Sequence, residues 1–152
     1  MVKYCLGFLY YYNNVLLIKK LKPEWQAGLL NGIGGKVNND ESPEEAMYRE
    51  FKEETNLDFN FKWKERGLIV ALDYEVYLYS CDYEDFIERD GFGVPFFDPR
   101  DFNIDSVEGK INLYSVNELS KYDSIDNLAI LVPLLYFDNG FNHVLNYKNS
   151  PT

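Results

Sequence analysis

Glu50, Glu53 and Glu54 stand three and four residues apart in the stretch Arg49-Glu50-Phe51-Lys52-Glu53-Glu54. On a helix these spacings share one face, so the three carboxylates project together. Like charges so placed repel and weaken an isolated helix, and a divalent cation removes that penalty. Carboxylate oxygens are hard ligands suited to Mg²⁺ or Mn²⁺, and Mg²⁺ keeps several waters while bridging carboxylates to substrate phosphates. The chemistry on offer is hydrolysis of a phosphoanhydride, in which the ion screens an anionic substrate and lowers the pKa of an attacking water. The bland counterpart is a solvated acidic helix face, the usual meaning of such a pattern taken alone.

The elements that must hold these residues favour the chemical reading. Ser42-Pro43-Glu44-Glu45 predicts a helix start, with Ser42 as N-cap, Pro43 at the first helical position and Glu45 closing a capping box. The helix is expected to run to about Thr55, with Asn56 taking the left-handed conformation that ends it. Just upstream, Leu29 to Val37 reads as a short strand interrupted by Gly32, Gly34 and Gly35, glycines that imply close backbone approach or positive φ.

Counting from Gly35, five residues lead to Glu41 and seven more to Arg49-Glu50, followed by Phe51, Glu53-Glu54, Asn56 and Leu57. This pattern resembles the box of the Nudix (MutT-like) hydrolase family and departs from it only at Asn56, where the family has glycine. That position ends a helix and contributes no side chain to chemistry. The resemblance implies an α/β protein, an α/β/α sandwich with a central mixed β-sheet. It also implies Mg²⁺, or Mn²⁺, held by Glu50, Glu53 and Glu54 with the Gly35 carbonyl, and Arg49 with Glu41 holding loop and helix in place. The water-activating residue varies across the family. Glu53 is one candidate, and Glu108 resembles the loop glutamate of the oxidised-purine triphosphatases; Glu84, Asp85 and Glu88 lie in another plausible loop.

The segment Trp25 to Val37, WQAGLLNGIGGKV, resembles the N-G-x-G-G-K signature of MutT-like nucleoside triphosphate hydrolases. It implies that Asn31 hydrogen-bonds a purine, for which an amide offers both donor and acceptor, although support of a glycine turn would explain Asn31 equally. Lys36 is placed to meet a phosphate oxygen or simply to face solvent. Asp126-Asn127 would supply more base recognition or cap a helix at Leu128. Trp25 and Tyr122 are the aromatic candidates for stacking. The reaction implied is cleavage of a (d)NTP or an oxidised purine nucleotide of the 8-oxo-dGTP type to monophosphate and pyrophosphate. Alternatives are the same chemistry on ADP-ribose, NADH, dinucleoside polyphosphates or capped RNA, and a non-catalytic nucleotide-sensing module of the same fold.

The rest of the chain frames these residues. Its 152 residues suit one domain spanning 1–152, and 46% hydrophobic with 17% aromatic content exclude disorder. A net charge of −10 argues against long nucleic acid and for a small-molecule nucleotide whose phosphates are screened by metal. No apolar run reaches membrane-spanning length and no leader pattern opens the chain, so a cytoplasmic protein is expected, with a homodimer as one option for its assembly. Cys5 and Cys81 read as reduced and buried.

Strands are expected at 2–12 and 14–19, joined by a hairpin at Asn13-Asn14, and at Phe59–Trp63, Gly67–Asp73, Glu75–Asp82 and Lys110–Val116. Lys22–Gly28 and Tyr83–Val107 read as loops, the second long enough to be functional. Leu128–Phe137 reads as a helix kinked or interrupted at Pro133, or else as a short helix followed by a strand. His143 stands in a polar tail without a role, and no Ser/His/Asp set, P-loop or zinc spacing is present.

Overall fold

The computed structural model describes residues 1–57, 62–84, 103–126 and 128–137, and the backbone of 143–146. The chain opens with β1 (Val2–Tyr11) and β2 (Asn14–Lys20). They pair antiparallel with Tyr11 opposite Asn14, so the hairpin turns at Tyr12-Asn13, one residue earlier than expected. Tyr12 takes positive φ there, at 51°, a conformation that bulky side chains rarely adopt.

Beyond the turn the two strands part, and the glycine segment fills the fork. β3 (Leu30–Asn31) pairs with β2, whereas β4 (Ile33–Lys36) pairs with β1, so the interruption at Gly32 is a change of partner. The glycines serve close approach: neither Gly34 nor Gly35 has positive φ, and a Cβ on Gly34 would fall on the Cys5 carbonyl of β1. A short 3₁₀ turn at Glu24–Gln26 lies within the loop expected at Lys22–Gly28.

Helix α1 (Pro43–Thr55) follows the fork. Ser42 Oγ accepts the Glu45 N–H at 3.1 Å and Glu45 Oε1 accepts the Ser42 N–H at 3.2 Å, the reciprocal cap that the sequence predicts. Asn56, at φ 58°, ends the helix in the left-handed conformation.

The remaining strands are β5 (Lys64–Val70), β6 (Tyr74–Asp82), β7 (Asn103–Asp105), β8 (Gly109–Ser115) and β9 (His143–Asn146), with α2 (Leu128–Phe137) before the last. β5 starts three residues earlier than expected and β7 lies inside the segment read as loop. Of the strand expected at Phe59–Trp63, Lys62 and Trp63 are not strand and the rest lies outside the described residues. His143 begins a strand rather than a tail, pairing parallel with Gly67 of β5. Helix α2 runs through Pro133 without interruption, and the Tyr10 hydroxyl donates to the Val132 carbonyl at 2.7 Å.

The strands form one mixed sheet in the order β7-β8-β2-β1-β6-β5-β9, parallel at β1–β6 and β5–β9. Alternation along β1 sends Cys5 and Leu9 to one face, with Ala46, Met47 and Phe51 of α1, and Phe8 and Tyr10 to the other, with Leu128, Val132 and Leu135 of α2. This is the α/β/α arrangement, and both cysteines are buried in it as reduced thiols. No described helix is long and apolar enough to cross a membrane.

Gly34→Ala is expected to destabilise the protein by about 2 kcal/mol, because the colliding atoms belong to backbone and cannot rotate away. Urea unfolding checks this; an unchanged midpoint would contradict the close approach.

Candidate active site

Arg49 ties two carboxylates of the α1 acidic face to the loop that precedes the helix. Its Nη2 donates to Glu41 Oε1 at 2.6 Å and to the Lys36 carbonyl at 3.0 Å, and its Nε reaches both Glu41 oxygens at 3.2 and 3.0 Å. Its Nη1 donates to Glu50 Oε1 at 3.0 Å and Glu53 Oε2 at 3.1 Å. Glu41 also accepts the Asn38 N–H at 2.9 Å. The hydrogen bonds from Arg49, then that from Asn38, hold the Glu41 carboxyl below the usual range. Arg49 and Glu41 thus tie the end of β4, the following loop and α1 together.

Glu50 and Glu54 lie one turn apart, both under a tenth exposed, while the Glu53 side chain is 58% exposed. Burial pushes the Glu50 carboxyl up, against the opposing pull of the Arg49 charge. Gly35 leaves room for that carboxylate: a Cβ there would sit 2.6 Å from Glu50 Cδ. Glu54 meets the hairpin between β7 and β8, where Ser106 Oγ donates to its Oε2 at 3.1 Å. Burial, then the hydrogen bond and negative charge of Glu108, push the Glu54 carboxyl up to about 7. Burial also acts to raise Glu108, but its hydrogen bond with Glu54 and the charges of Lys20 and Lys22 outweigh it, and Glu108 lies below its usual range. Lys20 Nζ is 3.2 Å from Glu108 Oε2.

Among the described residues no three metal-ligating side chains converge on one point, because Arg49 draws Glu50 and Glu53 to itself while Glu54 leans toward Glu108. The donor chemistry nonetheless fits a divalent ion. Two buried carboxylates whose charge is penalised by burial stand one turn apart, and the backbone beside one of them has space only because residue 35 is glycine. Glu50 and Glu54, with the Gly35 carbonyl and Glu53 at the exposed edge, are the residues that would hold Mg²⁺ or Mn²⁺.

A cavity of about 730 Å³ adjoins this cluster, of a size to take a nucleotide. Gly35, Lys20 and Glu108 line it, as do Asn31, Trp25 and Asp126. Asn31 Oδ1 accepts the Gly32 N–H at 2.8 Å, so the amide supports the glycine turn with its oxygen. Asp126 is brought beside β3 by a strap in which Leu30 N–H donates to the Asp123 carbonyl and Ile125 N–H to the Leu30 carbonyl, each at 3.0 Å.

Other candidates are not gathered here. Lys36 is exposed and off the cavity wall, contributing its carbonyl to Arg49. Tyr122 packs edge-on against Tyr114 with ring centroids 5.1 Å apart. Glu84 accepts the Tyr12 N–H at the first hairpin and does not line the cavity. Asp85, Glu88 and Asn127 lie outside the described residues. Lys20 and Ser106 were missed by sequence reasoning, since their importance comes from the register of β2 on β8 and the geometry of a hairpin tip, which no local motif announces.

The NUDIX domain family model matches residues 7–92, more than half of the chain, and the protein therefore belongs to the NUDIX family, whose members are hydrolases acting on pyrophosphate bonds. No curated protein sequence matches it. Among solved structures it is similar to a mutator MutT protein from Bacillus halodurans, with TM-score 0.69 and 16% identity over 97% of this chain and 91% of that one. A NUDIX hydrolase from Nitrosomonas europaea superposes with TM-score 0.72 and 16% identity, covering 97% and 79%. The NUDIX domain of NrtR from Shewanella oneidensis, complexed with ADP-ribose, gives TM-score 0.64 and 14% identity, covering 88% and 84%. At these identities the likeness concerns the fold.

The raised Glu54 carboxyl makes a prediction about pH. Because the folded state favours its protonated form, the stabilisation is full below the ordinary value of 4.5 and is lost as pH rises through about 7. The lowered Glu108 carboxyl acts with opposite sign and below that window. Without divalent ions, Glu54→Gln is therefore expected to match the parent protein in thermal stability at about pH 5 and exceed it at about pH 8. Parallel stability curves across that range would contradict the burial of Glu54.

Proposed function

We propose that this protein is a Mg²⁺-dependent pyrophosphohydrolase that converts a (d)NTP, an oxidised purine nucleotide among them, to the monophosphate and pyrophosphate. One observation carries the reading: a single cavity joins Gly35 and Glu108 to Asn31, Trp25 and Asp126. It offers phosphates one end and a base the other, within a single domain of residues 1–152.

Glu50, Glu53, Glu54 and the Gly35 carbonyl would hold the metal, which when bound would supply charge neutralisation at the phosphates and a lowered pKa for water. Glu108 takes the proton from the attacking water. It lines the cavity, touches Glu54 and is held ionised, whereas Glu53 is bound to Arg49 at the exposed edge. Asn31 has its oxygen occupied and offers Nδ2 to an acceptor on the base, while Asp126 accepts from a donor. Trp25 supplies an aromatic face. Arg49 acts on the reaction through Glu41, Glu50 and Glu53, by setting where the helix carboxylates stand. Cleavage of ADP-ribose is the second reading, favoured by the cavity volume and by the ADP-ribose complex of the similar Shewanella domain.

Product analysis with Mg²⁺ or Mn²⁺ against dNTPs, 8-oxo-dGTP, ADP-ribose, NADH, dinucleoside polyphosphates and capped RNA tests the proposal. Preferred release of pyrophosphate from triphosphates is expected; preferred cleavage of ADP-ribose would establish the second reading. Nucleotide binding without turnover of any of them would identify a sensing module instead. Glu108→Gln is expected to lower kcat about 10²-fold or more with little change in KM, the usual cost of losing a general base.

A further inference from the structure

The cavity wall carries one cationic side chain among the described residues, Lys20, and its position is fixed twice over. β2 and β8 pair with Lys20 opposite Gly109, the residue after Glu108. A Cβ at Gly109 would fall on the Lys19 carbonyl, so the two strands are in close backbone contact at this point. The Leu21 N–H then donates to the Glu108 carbonyl at 2.7 Å. On the other side, the N–H groups of Glu108 and Gly109 both donate to Ser106 Oγ, at 3.3 and 3.2 Å, which curls the tip of the β7–β8 hairpin over Glu54. The backbone that bears Glu108 is thereby held from both strands, but its side chain is 40% exposed and carries several torsions of its own.

What limits those torsions is Lys20. Its side chain is only 12% exposed, and its Nζ reaches Glu108 Oε2 at 3.2 Å. An exposed ion pair contributes little, because two long side chains must be ordered to make it; here one partner is already immobilised by burial. We infer that Lys20 is a positioning residue, whose ammonium group holds the Glu108 carboxylate against Glu54 and so in line with the water it must activate. This rests on the role given to Glu108 above. It assigns Lys20 a function in the chemical step, distinct from the phosphate contact that a cavity lysine suggests at first sight.

Kinetics with dGTP and Mg²⁺ on Lys20→Met, Lys20→Arg, Glu108→Gln and the Lys20→Met/Glu108→Gln double variant test the inference. Lys20→Met is expected to lower kcat tenfold or more with KM within about twofold, to add nothing to Glu108→Gln, and to be largely restored by Lys20→Arg. In a crystal structure of metal-free Lys20→Met, the Glu108 carboxylate should leave Glu54. A rise in KM at constant kcat would place Lys20 on the substrate phosphates and overturn the positioning role. So would unchanged kinetics in Lys20→Met alongside a damaged Glu108→Gln, or a Glu108 carboxylate still seated on Glu54 in that crystal. A fully active Glu108→Gln would instead remove the general-base assignment on which the inference stands.

Discussion

Two carboxylates buried one helical turn apart are the constraint from which the rest of the site follows. Burying Glu50 and Glu54 opposes their ionisation, and each is matched to a different partner: Glu50 to the Arg49 guanidinium, Glu54 to the Ser106 hydroxyl and the Glu108 carboxyl. A shared proton, with Lys20 holding the Glu108 carboxylate in place, keeps the Glu54–Glu108 pair when no cation is present, and a divalent ion would displace that proton. The partners of these two side chains are thus a proton and an arginine, both of which a bound divalent ion would replace.

The fork between β1 and β2 gives that arrangement its access. Had the two strands stayed paired beyond the first hairpin, the sheet would have been continuous and Gly35 would have had no route to the Glu50 carboxylate. The glycine segment splits them, lays β4 against β1 beneath α1, and leaves Lys20 on the opposite side of the opening, facing Glu108. The helix carboxylates and the cavity wall therefore meet because a strand changes partner at Gly32. The α2 side adds the strap at 123–126, which brings Asp126 to the same opening through backbone hydrogen bonds to Leu30.

Much of this was legible locally. The capping box at Ser42 and Glu45, the left-handed Asn56 and the i, i+3, i+4 placement of Glu50, Glu53 and Glu54 depend only on neighbours within a few residues, where helix physics is strict. What the sequence hid was relational. Tyr12 in a left-handed turn contradicts local preference, and β9 depends on a distant strand to pair with. Lys20 lies just past the strand expected at 14–19, and only the β2–β8 register sets it beside Glu108. The carboxylate pattern predicts a common face, but not that Arg49 holds Glu50 and Glu53 while Glu54 turns to Ser106 and Glu108.

The central claim is that Glu50 and Glu54, with the Gly35 carbonyl, form a divalent-cation site at the mouth of the nucleotide cavity. A crystal of the protein soaked in Mn²⁺, with anomalous scattering collected to locate the ion, tests it most directly. The account predicts an ion bonded to Glu50, Glu54 and the Gly35 carbonyl, with Glu53 at its exposed edge and Arg49 still on Glu41. Manganese found only on exposed carboxylates elsewhere, with Glu50 still on Arg49 and Glu54 still on Glu108, would contradict it.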